Sequence, residues 1–135
     1  MDLSIKTEAF QQDDQSWLGS AHGTQSARTV TLDASAFTAG THYPNGFIPS
    51  GTVLAYIAGS TTKLGPYDPS NSTTEPGVAV GFLFTAVKVP ADTSKPVGAA
   101  LLTHCRVRTA KLPFQSGKGS LDANGKADLK LAEFV

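Results

Sequence analysis

Apolar residues along this chain gather into short runs bounded by glycine and proline, and the runs carry the period of strands. Thr52-Val53-Leu54-Ala55-Tyr56-Ile57 is entered through the turn residues Phe47-Ile48-Pro49-Ser50-Gly51. After a polar stretch from Gly59 to Gly77 comes Val78-Ala79-Val80-Gly81-Phe82-Leu83-Phe84-Thr85-Ala86-Val87. Both runs are rich in β-branched and aromatic residues, which favour a pleated, half-buried surface. The second is apolar on both alternating sets: Val78, Val80, Phe82 and Phe84 on one, Ala79, Leu83 and Val87 on the other. Such a strand is covered on both sides.

A third strand is predicted over 97–111, bent at Gly98. Alternation puts Leu101, Thr103, Cys105 and Val107 on one face and Leu102, His104, Arg106 and Arg108 on the other. Cys105 reads as a core residue, since a free cysteine packs as a small hydrophobe. Arg106 and Arg108 form a short basic strip, a solvated face or a contact for an acidic partner. Beyond a Gly/Ser/Lys loop, Asp122 is placed to N-cap a short C-terminal helix over 123–130. Asn124-Gly125 within it is also a hairpin-turn signal, so the helix is preferred narrowly. Residues 131–135 are expected to return to the sheet. The expected core is Val53, Ala55, Val80, Phe82, Leu83, Phe84, Leu101, Cys105 and Val107.

Residues 1–20 are mostly polar and read as an arm, too poor in apolar side chains to offset the entropy of ordering. The single tryptophan, Trp17, lies in this stretch. It either folds back on the domain or anchors the arm to a partner, as interface aromatics do. From Gln25 to Asp33 the chain alternates again, with Arg28, Val30 and Leu32 on one face and Thr29 and Thr31 on the other. A strand ahead of the core, tethered by the polar Thr38–Gly46 segment, suits addition to the sheet edge of another chain. The alternative is pairing within its own domain. The resulting division is an extended N-terminal arm and linker over 1–46 and a β-rich domain over 47–135. The long loop 59–77 is of a length that tends to be functional or mobile.

Composition agrees with one small β domain: 135 residues, 13 Gly and 8 Pro imply many turns. Eleven basic and eleven acidic residues cancel, without the basic excess a nucleic-acid partner requires. No apolar run approaches the roughly 20 residues of a membrane helix. The acidic N-terminus, with no apolar core, does not read as a secretory signal. One cysteine leaves no internal disulfide. Catalytic patterns are missing too. His104 and Cys105 are neighbours on a strand and point apart. His22, His42 and His104 have no short ligand spacing, so no metal or cofactor is expected. Neither a phosphate-binding glycine loop nor a nucleophile elbow occurs. The chain is read as a non-enzyme.

Several segments in order carry a resemblance: Ser16-Trp17-Leu18-Gly19-Ser20-Ala21-His22-Gly23-Thr24, Arg28-Thr29-Val30-Thr31-Leu32-Asp33, Ile48-Pro49-Ser50-Gly51, Leu64-Gly65-Pro66-Tyr67-Asp68-Pro69, Gly81-Phe82-Leu83-Phe84-Thr85, Gly98-Ala99-Ala100-Leu101-Leu102 and Thr109-Ala110-Lys111-Leu112-Pro113. Together they span residues 16–113, and their order and spacing are more specific than any one of them. The chain resembles the head decoration proteins of tailed bacteriophages, the family of the phage lambda head decoration protein, in the versions from actinobacterial phages. The lambda member is shorter before the core and lacks the tryptophan segment.

The resemblance implies a mainly β, small β-clip-like or β-barrel-like domain with an extended N-terminal arm. It implies a homotrimer on the outer surface of the virion capsid, bound to the major capsid protein after the head expands and bracing it against internal DNA pressure. The capsid-binding arm would carry Trp17, Leu18, His22, Thr24, Arg28, Val30 and Leu32, with no nucleic acid, membrane or cofactor involved. The alternatives are a surface-exposed adhesin or carbohydrate-binding module and a phage tail or connector subunit.

Overall fold

In the computed structural model, which describes residues 3–5, 13–71 and 77–135, the two central apolar runs become neighbouring strands of a closed barrel. In chain order the elements are β1 (Arg28–Asp33), the single-turn α1 (Ala39–His42), β2 (Phe47–Ile48), β3 (Val53–Tyr56), β4 (Lys63–Pro66), β5 (Ala79–Leu83), β6 (Val87–Lys88), β7 (Pro96–Leu102), β8 (Arg106–Val107), α2 (Ala123–Asp128) and β9 (Glu133–Phe134). The barrel runs β1-β4-β3-β5-β7 and closes from β7 back to β1. All its neighbours are antiparallel except β1 and β4, which run parallel through Thr31↔Lys63 and Leu32↔Leu64. Two small ladders sit outside it, β2–β6 antiparallel and β8–β9 parallel. The chain is mainly β, as its pattern predicts.

Two cores lie on either side of the wall formed by β3, β5 and β7. Every barrel strand sends a leucine inward, Leu32, Leu64, Leu54, Leu83 and Leu101, and Phe37, Ile48 and Val87 extend that cluster. On the outer face of the wall, Val53, Ala55, Ala79, Phe82 and Leu102 meet Trp17, Tyr67, Cys105, Val107, Leu112 and Leu129. The two-faced apolar run in β5 is explained by this arrangement. Its phase differs from strict alternation, however. Leu54 pairs with Gly81 but Ala55 pairs with Ala79, so Val80 is an extra residue in the β5 ladder. Such a bulge flips the side-chain phase beyond it. Val80 therefore packs toward Leu83, while Phe84 joins Phe82 on the outer side. Both Val80 and Phe84 are only partly buried; the other seven expected core residues are buried.

Other boundaries shift as well. The strand expected over 97–111 ends at Leu102 and resumes as β8, which joins a different ladder. The long loop contains β4, and Tyr67 just beyond it is buried; residues 72–76 of that loop lie outside the described residues. The closing strand pairs with β8 rather than with the barrel. The C-terminal helix forms, because the Asp122 side chain accepts from the Gly125 N–H at 2.8 Å and from the Tyr67 hydroxyl at 2.7 Å. The Asn-Gly pair thus lies in a capped first helical turn and makes no hairpin. Surface turns reuse one local device: Asp33, Asp68 and Asp92 each accept from the backbone N–H and the hydroxyl of the serine two residues on.

The division at residue 46 is corrected. β1 pairs with β7 along its whole length, Arg28↔Leu101 through Asp33↔Pro96, and with β4 on its other side at Thr31 and Leu32. It is a barrel stave, and without it β7 and β4 would present bare edges. The segment before it is equally committed. Trp17 is 1 % exposed and stacks on Phe82 with ring centroids 5.3 Å apart. Gly51, at φ 92°, makes room for it, since a Cβ there would stand 2.9 Å from the indole Cδ1. The expected arm is left with residues ahead of Asp13 that the fold described above does not include. Of these, 1–2 and 6–12 lie outside the described residues, and Leu3 and Ile5 are 83 % and 94 % exposed.

Trp17→Ala is accordingly expected to destabilise the domain by about 3–5 kcal/mol, as large-to-small core changes do. A urea titration followed by circular dichroism reads this, and a loss below about 1 kcal/mol would remove Trp17 from the core. Deleting residues 1–33 should give an unfolded chain, because the deletion opens the barrel.

Candidate functional site

The residues expected to form a gripping arm divide sharply by environment. Trp17 donates from Nε1 to the Ser50 hydroxyl at 2.9 Å, and Ser50 donates onward to the Phe84 carbonyl at 2.6 Å. Its own carbonyl accepts from the Arg108 N–H at 2.6 Å. With its ring buried and its indole N–H and carbonyl bonded within the domain, Trp17 is a core residue, and the reading of it as an interface anchor is corrected. Leu18 bridges to Val107 and packs on the outer core. Leu32 is fully buried inside the barrel and Val30 packs beside it. Thr24 turns inward on its own loop, donating from Oγ1 to the Ala21 carbonyl at 2.7 Å. The expected strand addition through Thr24–Leu32 is likewise corrected to pairing at home, with β7 along all of β1 and with β4 at Thr31 and Leu32.

Two of the seven, His22 and Arg28, remain exposed. Arg28, at the start of β1, lines an open groove of about 420 Å³ with Val80, Thr103, Asp128, Lys130 and Leu131. The groove mixes signs, and Asp128 is engaged there by the Ala79 N–H at 3.1 Å. His22 meets a residue that sequence spacing never linked to it: its Nε2 stands 3.1 Å from Nε2 of His104, with the rings edge to face. The third histidine is elsewhere and structural. His42 is buried, accepts at Nδ1 from the Thr38 N–H at 2.8 Å and donates from Nε2 to the Lys118 carbonyl at 3.0 Å.

His104 and Cys105 do point apart: the imidazole is exposed against His22, whereas the thiol is buried in the outer core. Burial pushes the Cys105 thiol up from 9.0 to about 11. Burial likewise raises the Tyr67 phenol, with the hydrogen bond to Asp122 adding to it. Among the described residues no three His, Cys, Asp or Glu side chains gather as a metal site, and no helix is long and apolar enough to cross a membrane. Set beside known families, curated proteins and solved structures, the chain has no match.

The Cys105 shift has a definite sign. Below about pH 9 the thiol is neutral folded and unfolded; between 9 and about 11 the unfolded chain ionises first, so stability falls as pH rises. Cys105→Ala should flatten that alkaline decline by up to about 1.4 kcal/mol per pH unit. Urea titrations of both proteins across this range measure it; parallel declines would mean the thiol titrates freely. Native protein should also react with a thiol-specific disulfide reagent far more slowly than protein unfolded in urea.

Proposed function

We propose that this protein decorates the outside of an expanded tailed-phage head, binding the major capsid protein as a homotrimer and stabilising the shell. The observation that carries the reading is spatial. The sequence segments that resemble phage head decoration proteins are far apart in the chain, yet they are the ones that meet. Trp17 of the first segment hydrogen-bonds Ser50 and stacks on Phe82. Arg28–Asp33 pairs with the Gly98–Leu102 segment. Gly51 sits against both Trp17 and Pro113. Leu112 completes the same core. A shared set of mutually packed segments is what a shared fold would leave in the sequence, and this supports transfer of the fold's role.

The role follows from mass action. A protein that binds the expanded lattice alone stabilises it by its binding free energy. Three equivalent contacts in a trimer act as a multivalent set, so modest individual contacts combine into slow release. The grip moves from Trp17 and β1, which the fold uses, to the residues ahead of Asp13. There Leu3 and Ile5 alternate with polar neighbours and lie open to solvent. Burying these two side chains against the shell would supply binding free energy.

The test mixes purified protein with expanded and unexpanded heads lacking it, followed by electron cryomicroscopy and heating. Full-length protein should occupy threefold and quasi-threefold positions on expanded heads only and raise the temperature at which they rupture. Protein lacking residues 1–12 should stay folded and bind at least about tenfold more weakly, a loss of roughly 1.4 kcal/mol or more. Absence of full-length protein from expanded heads would refute the reading. Undiminished binding by the truncated form would place the grip on the barrel surface.

A further inference from the structure

We infer that His22 and His104 form a surface site for one divalent late first-row metal ion, of the zinc, nickel or copper(II) class. Their Nε2 atoms are 3.1 Å apart. Two imidazole nitrogens, each about 2.0–2.1 Å from a tetrahedral metal ion, stand about 3.4 Å from one another. A shift of a few tenths of an ångström, with the two exposed rings turned so that both lone pairs converge, thus takes the pair from a hydrogen bond to a chelate. Imidazole suits this class of ion, and the Irving–Williams order favours its later members.

The backbones beneath both rings are already fixed. The Gly19 N–H donates to the Arg106 carbonyl at 2.8 Å and the Arg108 N–H to the Trp17 carbonyl, which ties the segment before His22 to the segment after His104. The His22 N–H is held by the Ser20 hydroxyl at 3.2 Å. Gly23, at φ 77°, lies so close against the His104 carbonyl that any side chain there would collide with it. On the other side, Cys105 and Trp17 anchor both segments in the outer core. Two ligands held this way lose little freedom on binding. Arg106, two residues beyond His104, has its guanidinium engaged by Glu133 at 3.2 Å.

In the bound state both Nε2 lone pairs face the ion, so neither Nε2 carries a proton. No third ligand side chain joins the pair among the described residues, so water completes the coordination. Such a site is weaker than a closed structural one. Its effect is to lock the Trp17–Thr24 segment onto the turn between β7 and β8, and this holds whether or not the protein decorates a capsid.

Zinc chloride and nickel chloride are titrated into the full chain at neutral pH, by calorimetry and by nitrogen-15 NMR of the histidine rings. One ion per chain is expected, with the Nε2 signals of His22 and His104 shifting and that of His42 unmoved. Zinc should also raise the melting temperature. His22→Asn and His104→Asn, checked for folding by circular dichroism, should each lower affinity at least about as much as loss of an outer-shell partner does, tenfold or more. They should also abolish the thermal shift. Parent protein that shows no binding, variants that bind as tightly as the parent, or half an ion per chain would each overturn the site.

Discussion

The wall of β3, β5 and β7 is apolar on both faces, and neither face can be left in water. Consecutive residues take opposite sides of it: Val53 and Leu54, Phe82 and Leu83, Leu101 and Leu102. A sheet with one wet face needs a single cover, whereas this one needs two. The chain covers the inner face by curling the sheet shut with β1 and β4. It covers the outer face by collecting pieces with little structure of their own, namely the tryptophan segment, the β8–β9 ladder and α2. The capped α2 turn contributes Leu129, and Tyr67 links that turn to the wall through Asp122. Segments that read as peripheral along the sequence are therefore lids on a hydrophobic surface.

How much of this was legible depends on whether the signal was local. Period-two patterning marks β1, β3 and β5 as strands, and the double apolar set in β5 correctly implies two covers. Asp122 announces its helix through its own chemistry. What period two cannot show is an extra residue in a ladder, which is why Val80 parts from Phe82 and Phe84, which share a face as expected. Pairing partners are less legible still. The alternation of Arg28–Asp33 is identical whether the strand joins another chain or its own β7, and only three-dimensional closure decides. Trp17 sits among polar residues, and of this stretch only Trp17 and Leu18 pack onto the outer core, so composition reads the stretch as loose. The His22–His104 pair lies wholly outside spacing rules, since those rules describe ligands on one element and these two are brought together by the Leu18–Val107 bridge.

Closure also bears on the proposed role. A closed barrel removes the long exposed strand edges through which sheet proteins aggregate. Among the described residues, every buried side-chain nitrogen and oxygen has a hydrogen-bond partner. The sequence carries no net charge. A particle surface crowded with copies of one small protein calls for these properties. They also turn attention to exposed groups such as Leu3 and Ile5 ahead of the fold, Arg28 at the groove, and the two facing imidazoles.

The seam at which the barrel shuts joins strands more than sixty residues apart in the chain. β1 finds its main partner in β7, and Trp17 has its carbonyl satisfied by Arg108. As the polypeptide leaves the ribosome, the first strand and the tryptophan emerge long before anything they can pair with. The barrel cannot close until β7 is available to pair with β1. Its contacts are dominated by large sequence separations, which places it among slow-folding topologies. In that interval the apolar side of β1 and the indole are exposed together, and chaperone binding or aggregation competes with closure of the seam.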